Sequence, residues 1–477
     1  MSPKISIAFW SNLLTCALGE TILGVTVYSR HGDRSSKHYK GYSLTNLGLN
    51  QNFQTGSFYR EQYIDVASQK QILGISEDLY KPSEIWASAP DQLVLSNTAT
   101  AFLQGLYPPV DGADHSLAVQ TLTNGSSYTN PLNGYQYVLL NAKDSDSPDT
   151  IWIKGDDSCP AYQDAADTFH TSDLFQEKVE ATKSFYSKFW DILDDVYDYE
   201  AENMTYANAY DIYDLINVAR IHNESSPAVN VSSADMFQLR TLADSAEWAS
   251  IYNESQPARS IGGQSLMGGI LHQLNQTVIG KGKLKFSLLA GSYDNFMAFF
   301  GLANLTSAST NFYGLPGYAS TMAFEILTEN DVQAFPSSTS ELKVRFLFRN
   351  GSDSELTAYP LFGQSEIVLP WDQFVSEAES RGILDLSLWC SMCQSTQEFC
   401  TPYPNNPAYA AAHESTSTSG KSNMSNAVAG VIGAMVTLGV IATCGLVTYL
   451  VLRRRKAPVH DVYLSEKGSS SSISKGD

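Results

Sequence analysis

Positive charge is what this 477-residue sequence has least of: 30 Lys and Arg stand against 50 Asp and Glu, a net charge of −20 at pH 7. Phosphate backbones reward basic stripes, so a nucleic-acid-binding role is excluded. A small anionic ligand in a local basic pocket is still compatible with this balance. Charged residues amount to only 17%, whereas hydrophobic residues reach 43% and aromatics 11%, which excludes disorder as the dominant state. No internal repeat occurs. Histidines 38, 115, 170, 222, 272, 413 and 460 show no metal-ligand spacing, so neither a metal nor a cofactor is expected. Cysteine is scarce too. Cys16 and Cys444 lie in apolar terminal runs, which leaves Cys159, Cys390, Cys393 and Cys400 for two disulfides with three connectivities open. The C-x-x-C at 390 and 393 lacks the further ligands of a tetrahedral zinc centre.

What is present at the two ends assigns a compartment. Met1-Ser2-Pro3-Lys4 precedes a mostly apolar run from Ile5 to Leu18, with small Ala17 and Gly19 placed for cleavage, so 1–19 reads as a secretory signal. The stretch 427–452 carries no charge and is long enough to cross a bilayer core of about 30 Å. Arg453-Arg454-Arg455-Lys456 follows at once, which places the tail 453–477 in the cytosol and everything before the span on the far side. The expectation is a single-pass type I glycoprotein of the secretory pathway, its large domain extracellular or lumenal. Glycosylation sequons at Asn124, Asn203, Asn223, Asn230, Asn253, Asn275, Asn304, Asn350 and Asn423 fit that compartment.

Between the ends, residues 22–28 form a β-branched apolar run that predicts a buried strand, ending at Ser29-Arg30-His31-Gly32-Asp33-Arg34. Helices are predicted over 44–63 and 92–106, the second stopped by Tyr107-Pro108-Pro109. A stretch from 111 to 260 has few strand-like runs. Phe185, Phe189, Ile192, Leu193 and Val196 recur there at helical spacing, which predicts an inserted, mainly helical domain with these side chains as core. Strand character returns at 283–290, followed by Gly291-Ser292-Tyr293-Asp294-Asn295, and again at 341–348. Two polar clusters just past strand ends can share one pocket, as ligands of open α/β sheets do. From 403 to 426 an Ala/Ser/Thr-rich composition predicts a stalk.

The loop Arg30-His31-Gly32-Asp33-Arg34 has a chemistry of its own. A histidine between two arginines offers a ring nitrogen for attack, while each guanidinium can take phosphate oxygens in bidentate fashion. With this pentapeptide, with Leu44-Thr45, Gly48, Gln51, Gly56, Arg60 and Tyr63, and with Gly105-Leu106-Tyr107-Pro108-Pro109, the sequence resembles the histidine acid phosphatases, the branch of the histidine phosphatase superfamily that includes prostatic-type acid phosphatases and phytases. The resemblance covers about residues 22–402. It implies an α/β fold with a central mostly parallel sheet flanked by helices, formed by 20–110 and 261–402, with 111–260 as the insert. It also implies phosphomonoester hydrolysis, with His31 as the nucleophile that becomes phosphohistidine, Arg30 and Arg34 as phosphate ligands, and Asp294 as the acid that protonates the leaving group.

Two departures from the family pattern accompany the match. The family has His before the acid, where this chain has Tyr293; and it has a third arginine near Gln92, whereas no arginine occurs from Glu61 to Ala219. Tyr293 and Gln92 are neutral donors that can replace part of what is lost. Losing two charge-assisted hydrogen bonds removes ~3–6 kcal/mol of transition-state stabilisation, a hundred- to ten-thousand-fold in rate. Two expectations follow: a membrane-anchored phosphatase of reduced or specialised activity, or a catalytically silent relative that binds an anionic ligand or a cell-surface partner.

Overall fold

The structure, a computed structural model, describes residues 19–110 and 114–417. The expected signal segment apart from Gly19, the expected span 427–452, the tail 453–477, residues 418–426 of the expected stalk and the sequon at Asn423 lie outside the described residues. Within them, no helix is long and apolar enough to cross a membrane.

The strands, in chain order, are β1 (Thr21–Arg30), β2 (Ile85–Pro90), β3 (Val119–Thr121), β4 (Ser127–Thr129), β5 (Asn141–Lys143), β6 (Phe286–Gly291), β7 (Thr321–Thr328), β8 (Lys343–Arg349), β9 (Thr357–Ala358) and β10 (Val368–Pro370). β3 and β4 pair as a hairpin of their own; the other eight form one sheet of order β10-β8-β7-β1-β6-β2-β5, with β9 alongside β8. The expectation of a mostly parallel sheet is corrected. β1–β6, β6–β2 and β2–β5 are parallel ladders, but β1–β7, β7–β8, β8–β10 and β8–β9 are antiparallel, so the sheet is mixed. The reason lies in the connections. The segment between β7 and β8 holds no α-helix to carry the chain back across the sheet, and antiparallel pairing is the result.

Alternation along the strands divides the core in two. Val25, Val27, Leu288 and Ala290 face one side, where helices Asn46–Tyr63 and Leu93–Leu106 cover them with Tyr59, Tyr63, Phe102 and Leu106. Leu23, Tyr28, Leu289, Phe324 and Phe346 face the other, against helices Ile261–Ile279, Tyr293–Leu302 and Trp371–Arg381. β1 is buried from Ile22 to Arg30 because it lies mid-sheet with both faces covered, so its apolar run is continuous rather than alternating.

The stretch 111–260 contributes to more than one body of packing. β5 joins the central sheet, and Ile153 belongs to the core that holds Tyr28. A separate core forms around Phe169, Phe175, Tyr186, Tyr206, Ile212 and Leu239, and Phe189 and Leu193 sit in it as their spacing predicts. The helix around them breaks at Tyr186 and restarts at Trp190.

The disulfides pair Cys159 with Cys393 and Cys390 with Cys400. They lie in a small core with Ile261, Ile383 and Trp389 that ties the start of the helical region to the chain's later helices. Residues 407–417, in the stretch expected as a stalk, begin as a helix, with Ala408 buried against that core. Of the sequons, Asn124, Asn223, Asn230, Asn275, Asn304 and Asn350 are exposed, and Asn203 and Asn253 are half-buried.

Candidate active site

β1 ends at Arg30, in register with Gly291 at the end of β6, so the loop after β1 and the turn carrying Tyr293 and Asp294 emerge at the same edge of the sheet. Backbone bonds extend the pairing one step further. His31 N–H donates to Gly291 O (3.3 Å), and Ala319 N–H donates to His31 O (3.0 Å). Three segments far apart in sequence, 30–34, 291–295 and 316–320, thus meet at one place.

The start of helix Asn46–Tyr63 clamps this loop. Asn52 accepts from Gly32 N–H (2.7 Å) and returns its amide to Arg30 O (3.1 Å); Gln51 accepts from Asp33 N–H (2.7 Å). Thr45 caps the helix by accepting from Gly48 N–H, and its hydroxyl donates to Asp33 Oδ1 (2.5 Å). The approach is so close that a Cβ on Gly48 would lie 1.9 Å from Asp33 O, and one on Gly32 2.3 Å from Gly48 O. Asp33 takes a further bond from His222 Nε2 (2.6 Å).

His31 is fully buried. Its Nδ1 lies 2.9 Å from Gly32 O. A carbonyl oxygen only accepts, so Nδ1 carries the proton and Nε2 keeps its lone pair. Burial, then the charges of Arg30 and Arg34, hold this imidazole well below its ordinary pKa. Both effects favour the neutral imidazole, in which Nε2 keeps its lone pair. Among the described residues Nε2 has no hydrogen-bond partner, and neither do the buried Nε atoms of Arg30 and Arg34. Three buried nitrogens of one five-residue loop are left for a ligand, a set suited to a phosphoryl group: one lone pair and two charged donors.

Arg30 donates to Pro316 O and lies between two aromatic faces, 5.2 Å from the Tyr293 ring centroid and 4.9 Å from that of Tyr318. Arg34 forms a buried ion pair with Asp214 (3.1 Å) and donates to Tyr210 Oη (2.9 Å). Asp214 also accepts from Ser36 Oγ (2.7 Å) and Lys37 N–H (3.0 Å). Part of the positive charge expected for phosphate is thus matched by an internal carboxylate.

Asp294 opens helix Tyr293–Leu302 and is half-buried; its Oδ1 accepts from Asn295 N–H (3.1 Å). Asn295 in turn reaches Asp156 Oδ1 (3.4 Å), whose carboxyl is pushed up to about 7 by burial and by the neighbouring charge of Asp294. The Tyr293 hydroxyl donates to Glu247 Oε2 (2.8 Å), while its ring stacks on Tyr210 with centroids 4.8 Å apart. Gln92 sits at the cap of helix Leu93–Leu106 and makes no cap bond; it lines a small pocket with Lys154 and Asp157. Lys154, 12% exposed, pairs with Asp157 (3.0 Å) and interacts electrostatically with Asp294 and Asp156. A cation therefore does stand near the place where the arginine is missing, supplied by another element.

Sequence reasoning missed Asp214, Tyr210, His222, Lys154, Asp156 and Glu247. Each lies in 111–260, where the resemblance is poorest, and no spacing signal marks them. Lys37 was missed as well, although it follows the loop by three residues; its Nζ lies 4.6 Å from the Tyr293 ring centroid.

A model of the histidine phosphatase superfamily (branch 2) matches residues 37–358. The chain belongs to that superfamily. Among solved structures, the chain is similar to the phytase from Citrobacter braakii, with a TM-score of 0.51 at 10% identity over 76% of this chain and 98% of that one. It is also similar to a phytase from Klebsiella sp. ASR1, with a TM-score of 0.50 at 13% identity over 76% and 96%. At such identity these likenesses speak for the histidine phosphatase fold alone. No curated protein matches the chain.

Proposed function

We propose that the protein is a phosphomonoester hydrolase working through a phosphohistidine, of reduced or specialised activity, and anchored by 427–452 in a membrane of the secretory pathway with its large domain outside the cytosol. The observation that carries the catalytic part is the buried, neutral His31, whose unpartnered Nε2 shares a loop with the unpartnered Nε atoms of Arg30 and Arg34. The anchoring part rests on the sequence pattern of the two ends. In the first step His31 Nε2 attacks phosphorus and the bond to the ester oxygen breaks, that oxygen taking the proton of the Asp294 carboxyl. In the second, Asp294 removes a proton from water, the water oxygen attacks phosphorus, and the phosphorus–nitrogen bond breaks to release orthophosphate and neutral His31. Arg30 and Arg34 offset the charge on the phosphoryl oxygens throughout.

A second reading, a silent relative that holds an anion, is favoured by the Arg34–Asp214 pair and by the commitment of the Tyr293 hydroxyl to Glu247. One experiment separates the two. The full-length chain is assayed on an aryl phosphate from pH 3 to 7 beside His31→Ala. Hydrolysis that the substitution abolishes is the expected result. Equal rates in both proteins refute the phosphatase reading, and a thermal shift with phosphate or vanadate in the absence of turnover identifies the silent relative.

A further inference from the structure

Carboxylates as well as cations act on the phosphate-binding loop and on Asp294. Arg34 is paired with Asp214, Lys154 with Asp157 and Arg240 with Asp244. Lys37, half-buried, interacts with Asp294 and Glu247. Arg34, Lys154 and Arg240 are thus each paired with a carboxylate, and among the described residues the cations here without such an ion pair are Arg30, which serves the first phosphate, and Lys37, so a second phosphate, bringing a charge of about −1.5 to −2 of its own, meets little unpaired positive charge.

Glu247 is tied directly to the helix that carries Asp294. It comes from helix Ser233–Ile251, remains half-buried, and is fixed by the Tyr293 hydroxyl at 2.8 Å. Arg30 and Lys37 both lie over the ring of that same tyrosine, at 5.2 and 4.6 Å from its centroid. The Glu247 carboxyl is therefore one phenol away from the phosphate-binding arginine. The tyrosine that stands in place of the family's histidine is what holds it there.

We propose that Glu247 is a specificity-determining residue: anchored by Tyr293 beside the phosphate-binding loop, it selects substrates with a single phosphate on an uncharged or cationic leaving group and rejects polyphosphorylated ones. This rests on the phosphatase reading above for its catalytic consequence, but its effect on binding stands apart from turnover.

The selection depends on pH. The titratable and charged groups that act on Glu247 or are acted on by it include Tyr293 and Asp294 from helix Tyr293–Leu302, Lys37 from the loop after β1, and Tyr162 from helix Pro160–His170. Burial pushes the Glu247 carboxyl up to about 7, Asp294 adding to the rise and the Tyr293 bond and Lys37 opposing it. Below that pH Glu247 is neutral and repels little; above it the carboxylate repels a second phosphate.

The test compares an aryl phosphate with inositol hexakisphosphate, using the full-length chain and Glu247→Gln, which keeps an acceptor for the Tyr293 hydroxyl. In the wild type the ratio of kcat/KM for the monoester over the polyphosphate rises at least about tenfold between pH 5 and 8, as expected of one like charge switched on at short range, and in E247Q it rises by less than about threefold. Tyr293→Phe, which releases the anchor, moves the ratio towards that of E247Q. A ratio that changes equally in wild type and E247Q overturns the proposal. If the aryl phosphate is not hydrolysed, the phosphatase reading fails alone: calorimetric dissociation constants for inorganic phosphate and inositol hexakisphosphate then decide, the same pH trend in wild type but not E247Q supporting the role of Glu247, and its absence overturning it.

Discussion

Replacing Gly48 by alanine tests the link between helix packing and the site most directly. A Cβ built there lies 1.9 Å from Asp33 O, and 2.8 Å from Asp33 N and C, where ordinary contact begins at 3.4 Å. Relief requires the loop and the helix start to separate by about 1.5 Å, and the atoms to be moved are backbone on both sides, with no flexible side chain to yield. Overpacking of this kind costs about 1–3 kcal/mol. The displaced backbone is that of residues 32–34, so His31 and Arg34 move with it, and a misplacement of about 1 Å costs on the order of a hundredfold in rate. Gly56, two turns along the same helix, supplies the control. A Cβ there meets Phe102 O at the same 1.9 Å, but against helix Leu93–Leu106 rather than the loop. Thermal unfolding and aryl phosphatase assays on Gly48→Ala and Gly56→Ala are expected to show similar losses of stability, with activity per folded molecule falling about a hundredfold only in the first. Comparable activity in the two variants would refute the argument that the helix start sets the geometry of the loop.

Two further outcomes follow from the buried groups. Removing the Cys159–Cys393 bridge by the double serine variant costs ~2–5 kcal/mol, because it joins residues 234 apart in sequence, whereas Cys390–Cys400 closes a separation of 10; denaturant midpoints of the two double variants should rank in that order. Asp156 has a native-state pKa of about 7, raised above its unfolded value by burial and by Asp294, so the native state holds a proton that the unfolded chain releases. Its contribution is present below the ordinary carboxylate range and is lost as pH rises through about 7. Melting temperatures of the wild type are therefore expected to fall between pH 5 and 8 by more than those of Asp156→Asn, and an equal fall in both would contradict this coupling.

Much of this was readable in the linear order of residues. The apolar run at 22–28 has room for a strand, Arg30 to Arg34 stand where it must end, and Gly291 to Asn295 repeat that arrangement, because strand and loop are set by short-range sterics and by the period of burial. The family's glycines could be marked in the sequence, but that Gly48 serves the backbone of Asp33 is visible only once the helix is docked. Pairing among Cys159, Cys390, Cys393 and Cys400 is likewise a matter of proximity, since spacing leaves three connectivities equal.

Local order determined the strands, the loop chemistry and the kinship of this protein. Only the tertiary structure decided that Asp214 would neutralise Arg34, that Tyr293 would spend its hydroxyl on Glu247, that Lys154 would stand near the missing arginine, and that half the sheet would run antiparallel. The physical reason is one of range. Backbone propensity and hydrophobic period act over a few residues, whereas charge pairing acts through a few ångströms of space, and 180 residues separate Arg34 from its partner.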